Sequence, residues 1–231
     1  MKKLITICAV VTMVLVLSGA AQAALVLQDG VALGFPSSIG SVRYRDLAGT
    51  NNNPDIYLGI DGLGTTSNRV AQTFYGTGGN WTTSNHFEFI YDKANDCLIT
   101  NVTNSRVTPY QLIWNNFSGT RPNPLSALDY LQIGMKTGNI TSAVELKNLL
   151  LDNVSLGSVS PVTASDIYKN WYLSGYDFSN GFTLSGDIVL TGIPGSSESG
   201  KVDITFGAVP EPATMAILGL GALFCRKFKK A

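Results

Sequence analysis

The sequence has few of the residues on which catalytic, metal-binding and disulfide-rich proteins depend. Its 231 residues include one histidine and three cysteines. Cys8 and Cys225 lie in apolar terminal segments, so Cys97 is the only cysteine in the body of the chain. An intramolecular disulfide framework is therefore excluded for the body, and its fold must depend on a hydrophobic core. We expect Cys97 to be a small buried hydrophobe between strands.

Enzyme motifs are missing as well. The sequence has no Gly-x-Ser-x-Gly elbow, no His-Glu-x-x-His, no P-loop and no Cys-x-x-Cys. A catalytic triad could use only His86, which lies in an aromatic strand and is interpreted as structural. The paired carboxylates of a glycoside hydrolase are an open alternative, because their separation is spatial; the glutamates of the body are Glu88, Glu145 and Glu198. We predict a protein that is not an enzyme, without catalytic residues or cofactors.

Basic clusters are absent from the body, residues 24–208. This part has ten Lys and Arg residues against fifteen Asp and Glu residues, a net charge of −5. Nucleic-acid binding requires clustered cations that neutralise phosphates. We therefore predict that nucleic acid is not a partner.

The amino terminus has the order of a secretory signal peptide. Lys2 and Lys3 precede a long apolar run, which ends at the small-residue site Ala21-Gln22-Ala23. This order predicts a signal helix over residues 1–23, with cleavage after Ala23. We expect the protein to be exported.

Turn-forming residues interrupt the body about every ten residues, which is typical of an all-β chain. We predict a two-sheet antiparallel β-sandwich, jelly-roll-like, over residues 24–207. Phe87, Phe89 and Tyr91 recur at every second position, and a short link to the next apolar run predicts a hairpin. The predicted strands are 41–47, 55–60, 69–76, 86–92, 97–103, 110–116, 128–137, 169–178, 182–192 and 201–207.

Two further segments need interpretation. Ser142 and Glu145 have capping-box spacing, which favours a helix over residues 141–153. Alternate positions from Val144 to Leu150 could equally form one buried face of a strand. We predict the strand, because the neighbouring segments are strands. The glycine- and serine-rich residues 192–200 are expected to form a hairpin loop.

Oxygen donors and aromatic rings suggest two kinds of ligand. Carboxylate and amide oxygens suit a structural calcium ion, although neither group of donors matches an EF-hand loop and both residue types are common in turns. The two groups are Asn51–Asn53 with Asp55 and Asp61, and Asp92 with Asn95 and Asp96. Aromatic faces could stack on sugar rings, although aromatic residues in strands more often belong to the core. These candidates are Trp81, Trp114, Trp171, Tyr172 and Tyr176.

The carboxyl terminus joins three dissimilar parts. Pro210 and Pro212 exclude a helix or central strand, so the segment around Glu211 is extended. The uncharged residues 213–225 would span about 20 Å as a helix, against roughly 30 Å for the hydrocarbon core of a bilayer. A short segment suits a brief hold at the membrane better than a lasting anchor, although a plain anchor is the alternative. The cations that follow would stay in the cytoplasm; they are Arg226, Lys227, Lys229 and Lys230.

This tail, residues 208–231, resembles the PEP-CTERM sorting signal of exported bacterial proteins, which is also labelled the ice-binding protein C-terminal motif. Pro210, Glu211 and Pro212 match its recognition motif, and the four cations match its basic end. The resemblance implies a Gram-negative host and processing at Pro-Glu-Pro by a membrane protease-transpeptidase, the exosortase. It also implies transient anchoring in the inner membrane by a short C-terminal helix.

The same resemblance implies a final location at the cell surface or in the extracellular matrix, in association with exopolysaccharide and biofilm. The body is similar to choice-of-anchor β-sandwich domains in the stretches NHFEFIYD and WYLSGYDFSNGFTLSGDIVL. We therefore expect an exported surface or matrix protein. A secreted carbohydrate-binding module and a carboxylate-based glycoside hydrolase are the alternatives.

Overall fold

The computed structural model describes most of the body of the chain. The predicted signal peptide with Ala23 lies outside the described residues, and so do the predicted C-terminal helix, the sorting residues and the basic tail. The candidate residues Asn51–Asn53, Asp61 and Glu198 also lie outside them. The described ranges are 25–30, 37–45, 47, 55–60, 69–73, 81–106, 110–117, 128–137, 141–163, 168–192 and 200–208.

Within these ranges every regular element is a β-strand, except for one 3-10 helix at Phe178–Asn180. The all-β prediction is confirmed. No described helix has the length and apolar character to cross a membrane. The strands are β1 (Gln28–Asp29), β2 (Ser37–Arg45), β3 (Asp55–Ile60), β4 (Arg69–Thr73), β5 (Ser84–Asp92), β6 (Cys97–Thr103), β7 (Tyr110–Asn115), β8 (Tyr130–Lys136), β9 (Ala143–Leu151), β10 (Val154–Thr163), β11 (Lys169–Ser174), β12 (Phe182–Thr191) and β13 (Lys201–Ala208).

The strands form two antiparallel sheets. The seven-stranded sheet has the order β1-β11-β8-β13-β2-β3-β4, and the six-stranded sheet has the order β10-β9-β12-β5-β6-β7. Eight strands pair in a nested way along the chain: β9 with β10, β8 with β11, β5 with β12, and β2 with β13. Each outer pair therefore encloses the pair within it. The hairpins β3–β4 and β6–β7 extend the two sheets at one edge each.

The two sheets bury their inner faces against each other. Alternation along β5 turns Phe87, Phe89 and Tyr91 inward, as predicted. The ring of Tyr44, on β2 of the opposite sheet, lies 5.6 Å from that of Phe87. The Tyr44 hydroxyl also shares a 2.7 Å hydrogen bond with Thr100 Oγ1 on β6. One hydrophobic core therefore joins both sheets.

Phe206 lies at the centre of an aromatic cluster in this core. The side chain is fully buried on β13. Four rings have centroids 5.0–5.9 Å from its own, and most of these contacts are edge-to-face or tilted. They are Phe89, Tyr91, Phe117 and Phe182. The last strand is therefore anchored in the core only two residues before it ends at Ala208.

The segment at 141–153 is a strand, and the helical alternative is wrong. The predicted alternation is also wrong beyond Leu146, because the next buried residues are Leu149 and Leu151. A bulge causes the change: Asn148 has φ 53°, and the pairing with β12 shifts between Ser185 and Asp187. The extra residue turns Asn148 outward and keeps the leucines in the core.

Two connections differ from the predictions. Strand β10 was not predicted, although Asp152 and Asn153, with φ 47° and 67°, form a two-residue turn between β9 and β10. Asp and Asn tolerate this left-handed backbone better than most residues, which makes such a hairpin turn feasible. The predicted hairpin loop at 192–200 is wrong, because the strands on either side, β12 and β13, belong to different sheets.

Candidate functional site

The last strand ends at the same end of the molecule as three well-formed turns. The carbonyl of Gly207 accepts a 3.0 Å hydrogen bond from the amide of Asp129, just before β8. The carbonyl of Leu128 in turn accepts from the amide of Phe178, in the link between β11 and β12. We call this end, formed by residues 92–96, 128–129, 152–153 and 175–181 around Ala208, the tail end.

The turn that links β11 to β12 is held by one carboxylate. Asp177 accepts hydrogen bonds from the Ser179 amide, at 2.9 Å, and from Asn180 Nδ2, at 2.8 Å. The bonds from Ser179 lower the pKa of Asp177. Gly181 ends the turn at φ 89°, and a Cβ there would lie 2.8 Å from the Tyr91 carbonyl oxygen. Glycine is required at this position for both reasons.

Asp152 fixes the turn between β9 and β10 to its neighbours. Its Oδ1 accepts a 2.8 Å hydrogen bond from the Thr183 amide, and its Oδ2 accepts one from the Tyr176 hydroxyl. Burial, and then the bond to Asp152, raise the pKa of Tyr176 to about 12. Asp152 was not among the predicted site residues, and its role depends on a turn that the sequence pattern did not reveal.

The turn between β5 and β6 uses one of the predicted calcium donors. Asp92 accepts hydrogen bonds from the amide and the side chain of Asn95, at 3.1 and 2.7 Å. The side-chain bond from Asn95 lowers the pKa of Asp92. Among the described residues, no group of three or more His, Cys, Asp or Glu side chains could hold a metal ion. Cys97, which follows this turn, is buried as predicted, and burial raises its pKa.

A shallow cavity of about 330 Å³ opens at the tail end. The residues that line it include Ile90, Asp92, Asp152 and Thr183. Lys93 Nζ donates a 3.1 Å hydrogen bond to Asn180 Oδ1, which joins two of the turns. Acidic side chains predominate among the described residues of the tail end, with Asp92, Asp96, Asp129, Asp152 and Asp177 against Lys93.

The aromatic residues predicted to stack on sugars are not brought together on one surface. Trp81 and Trp171 are 5% and 7% exposed and belong to the core. Trp114 and Tyr176 are partly buried and pack against the core. Tyr172 lies on the outer face of the seven-stranded sheet, where its hydroxyl donates a 2.6 Å hydrogen bond to Gln28 Oε1.

His86, Glu88 and Glu145, the candidate catalytic residues that the structure describes, lie on the outer face of the six-stranded sheet. His86 Nδ1 is 3.0 Å from Asp187 Oδ1, and Asn148 Nδ2 donates a 2.8 Å bond to Asp187 Oδ2. Glu88 accepts from Asn101 Nδ2 at 2.7 Å. Glu145 pairs with a lysine two residues along its own strand. Sequence reasoning missed Asp187, although it lies directly opposite His86 once β5 and β12 pair.

A second aspartate has a comparable position on the other sheet. Asp203 lies on β13, and Arg43 Nε and Nη2 donate to its two oxygens at 2.5 and 3.3 Å. The Tyr168 hydroxyl donates a 2.8 Å bond to Asp203 Oδ2, and Lys201 Nζ lies 3.6 Å from the same oxygen. Burial, and then the nearby Asp203, raise the pKa of Tyr168.

Residues 208–230 match the family model of the PEP-CTERM protein-sorting motif. The sorting signal recognised in the sequence is thereby confirmed, and the chain is an exported protein that an exosortase sorts after transient anchoring at the membrane. No curated protein matches the chain. The matched range begins at the last residue of β13 and includes Pro210, Glu211, Pro212 and the basic tail. The roles of these individual residues stay predictions.

Proposed function

We propose that this protein is a cell-surface or extracellular-matrix component of a Gram-negative bacterium, cleaved at Pro210-Glu211-Pro212 by an exosortase and associated with exopolysaccharide. The observation that carries the proposal is the sorting motif at residues 208–230, which begins at the last residue of the final strand of a folded body. Because Ala208 still pairs with β2, the tail starts where the folded body ends. The body can therefore stay folded while the tail lies in the membrane.

The body, in this proposal, is a non-catalytic, jelly-roll-like β-sandwich. The nested pairing of eight strands in two facing sheets supports this description of the fold. Several of the carboxylates that could serve a hydrolase already accept hydrogen bonds within the structure. Glu88 binds Asn101, Asp152 binds Thr183, and Asp177 binds Ser179. These bonds support a role for the carboxylates in holding strands and turns in place.

The proposal is tested by following the tail during export. The full chain is produced in two otherwise identical bacterial strains, one with and one without an exosortase gene, and is recovered from the envelope and the culture fluid. Intact mass and C-terminal peptide mapping then locate the last residue. We expect loss of everything after Pro-Glu-Pro only when the exosortase is present.

One variant tests the motif, and a second serves as its control. Replacing Pro210, Glu211 and Pro212 with alanine should abolish cleavage and leave the precursor in the membrane fraction. Replacing Pro161, a proline of β10 far from the tail in sequence, should leave cleavage unchanged. Recovery of the full tail from the exosortase-containing strain would make the chain a plain tail-anchored protein.

Binding of the processed protein to the host's isolated exopolysaccharide tests the proposed association separately.

A further inference from the structure

The distance between the folded body and the sorting motif is very short. Strand β13 pairs with β8 as far as Gly207, opposite Tyr130, and with β2 as far as Ala208, opposite Ser37. Pro210 follows Ala208 by two residues, so it lies at most about 7 Å from the last paired residue even in a fully extended chain. A protease that binds this motif must therefore come within a few ångströms of the tail end.

The end of β13 cannot easily separate from its sheet to give the protease more room. The strand is internal, between β8 and β2. Phe206 is fully buried, and its ring contacts four other aromatic rings. Pulling two or three residues out of the sheet would expose this side chain and break ladder hydrogen bonds on both sides. The body keeps its position beside the motif while the motif is bound.

The turns around Ala208 are joined by hydrogen bonds, and their charged side chains are mostly negative. Asp129 is directly hydrogen-bonded to Gly207, and the contacts continue through Phe178 to the turn that carries Asp177. Lys93 joins that turn to the β5–β6 turn. The described tail end has five aspartates against one lysine. A negatively charged lipid surface would repel this end, whereas a positively charged protein surface would attract it.

We propose that the tail end is a docking surface for the processing protease, which contacts the turns at 92–96, 152–153 and 175–181 through a positively charged rim beside its cleft. The inference rests on the proposed processing at Pro-Glu-Pro. The docking surface adds long-range attraction to the recognition of the motif itself. The protease then recognises the body and the tail together.

The test removes charge from the tail end while keeping its turns. Asp96 and Asp152 have φ 51° and 47°, which asparagine also adopts, and asparagine replaces Asp177 well as a helix cap. The triple variant Asp96→Asn, Asp152→Asn, Asp177→Asn is compared with Glu88→Gln, Glu145→Gln, Asp187→Asn. The control variant loses the same charge from the outer face of the six-stranded sheet. Circular dichroism and thermal unfolding establish that both variants fold.

The readout is the initial rate of cleavage of each full-length precursor in membranes that contain the exosortase. We expect about fivefold slower cleavage for the tail-end variant, a rate within about twofold of wild type for the control, and a weaker dependence on salt for the tail-end variant. An insertion of eight Gly and Ser residues after Ala208 should slow the wild-type chain similarly. Equal rates for the two variants, or faster cleavage of the tail-end variant, would overturn the docking surface.

A separate substrate distinguishes failure of the docking surface from failure of the proposed function. Residues 208–231 are fused to an unrelated, uncharged carrier domain and treated in the same way. Cleavage of the fusion at Pro-Glu-Pro with no charge effect in the full chain keeps the proposed function and overturns the docking surface. A charge effect that follows the anionic lipid content of the membranes, and not the protease, assigns the tail end to the membrane and also overturns it. If neither substrate is cleaved, both ideas fail.

Discussion

Asp203 and Asp187 occupy equivalent positions on the two sheets but are held in different ways. Each lies on an internal strand and points to the outer face of its sheet. The Asp203 side chain is 10% exposed and binds Arg43 and Tyr168, whereas the Asp187 side chain is 25% exposed and binds His86 and Asn148. Because a buried carboxylate loses hydration, it depends more strongly on its partners than a more exposed one. Equivalent positions in a sandwich therefore have unequal effects on stability.

The largest difference is expected when each aspartate becomes asparagine. Asp203→Asn leaves Arg43, whose side chain is 28% exposed, without its charged partner, and we expect unfolding to become easier by about 2 kcal/mol. Asp187→Asn affects a more exposed group and should cost about 0.5 kcal/mol. Urea unfolding at pH 7 measures both. Equal losses would show that burial does not distinguish the two sites.

A smaller effect should come from the glycine beneath Tyr168. A Cβ on Gly134 would lie 2.3 Å from the Tyr168 hydroxyl oxygen and 2.7 Å from Cζ, so Gly134→Ala must displace the ring. The displaced hydroxyl loses its bond to Asp203, for which we expect a cost of about 1 kcal/mol.

A double-mutant cycle separates this effect from a change in the strand itself. In a Tyr168→Ala background the ring is absent, and Gly134→Ala should be neutral or slightly stabilising, because alanine loses less backbone entropy than glycine. A similar cost in both backgrounds would mean that Tyr168 does not transmit the change to Asp203.

Alkaline pH should destabilise the folded protein in part through Tyr168, which binds Asp203. The folded-state pKa of Tyr168 is raised above the usual value near 10, so its contribution to stability is complete below pH 10 and decreases as the pH rises further. Tyr176, with a pKa of about 12, contributes in the same direction between pH 10 and pH 12. Free energies of unfolding measured from pH 8 to pH 12 should therefore fall above pH 10. Tyr168→Phe should reduce the decrease, and an unchanged profile would contradict the assignment.

The hydrophobic pattern of the sequence was sufficient to predict strands in which inward-facing residues alternate without interruption. Phe87, Phe89 and Tyr91 alternate without interruption, and the β5–β6 hairpin follows as predicted. The pattern failed where the backbone leaves the regular pleat. The bulge at Asn148 and the turn at Asp152–Asn153 both depend on left-handed residues that a period of two does not reveal.

The tail and the folded body also differ in how far the sequence alone reveals their functional groups. The sorting motif is defined by its order along the chain, from Pro210 to the last cations, and was recognised from the sequence. The groups on the folded body are defined by pairing between distant strands. Asp203 and Arg43 are 160 residues apart, and Asp187 and His86 are 101 apart. Such partners become visible only when the strand order is known.

Replacing Asn148 with glycine is expected to have a small effect; this residue joins the bulge of β9 to Asp187. Its φ is 53°, and its side chain donates a 2.8 Å hydrogen bond to Asp187 Oδ2. Asn148→Gly keeps the left-handed backbone and loses only a half-exposed bond, so we expect a loss of about 0.5 kcal/mol. Asn148→Ala loses the same bond and leaves a Cβ on a left-handed backbone that alanine tolerates less well than asparagine or glycine, so it should cost about 1 kcal/mol more than the glycine variant. Thermal unfolding of the two variants separates the cost of the lost hydrogen bond from the cost of the left-handed backbone. Equal losses for the alanine and glycine variants would mean that the bulge has relaxed to a regular strand conformation. A loss for Asn148→Gly as large as that for Asp203→Asn would mean that Asp187 depends on its partners as strongly as Asp203 does.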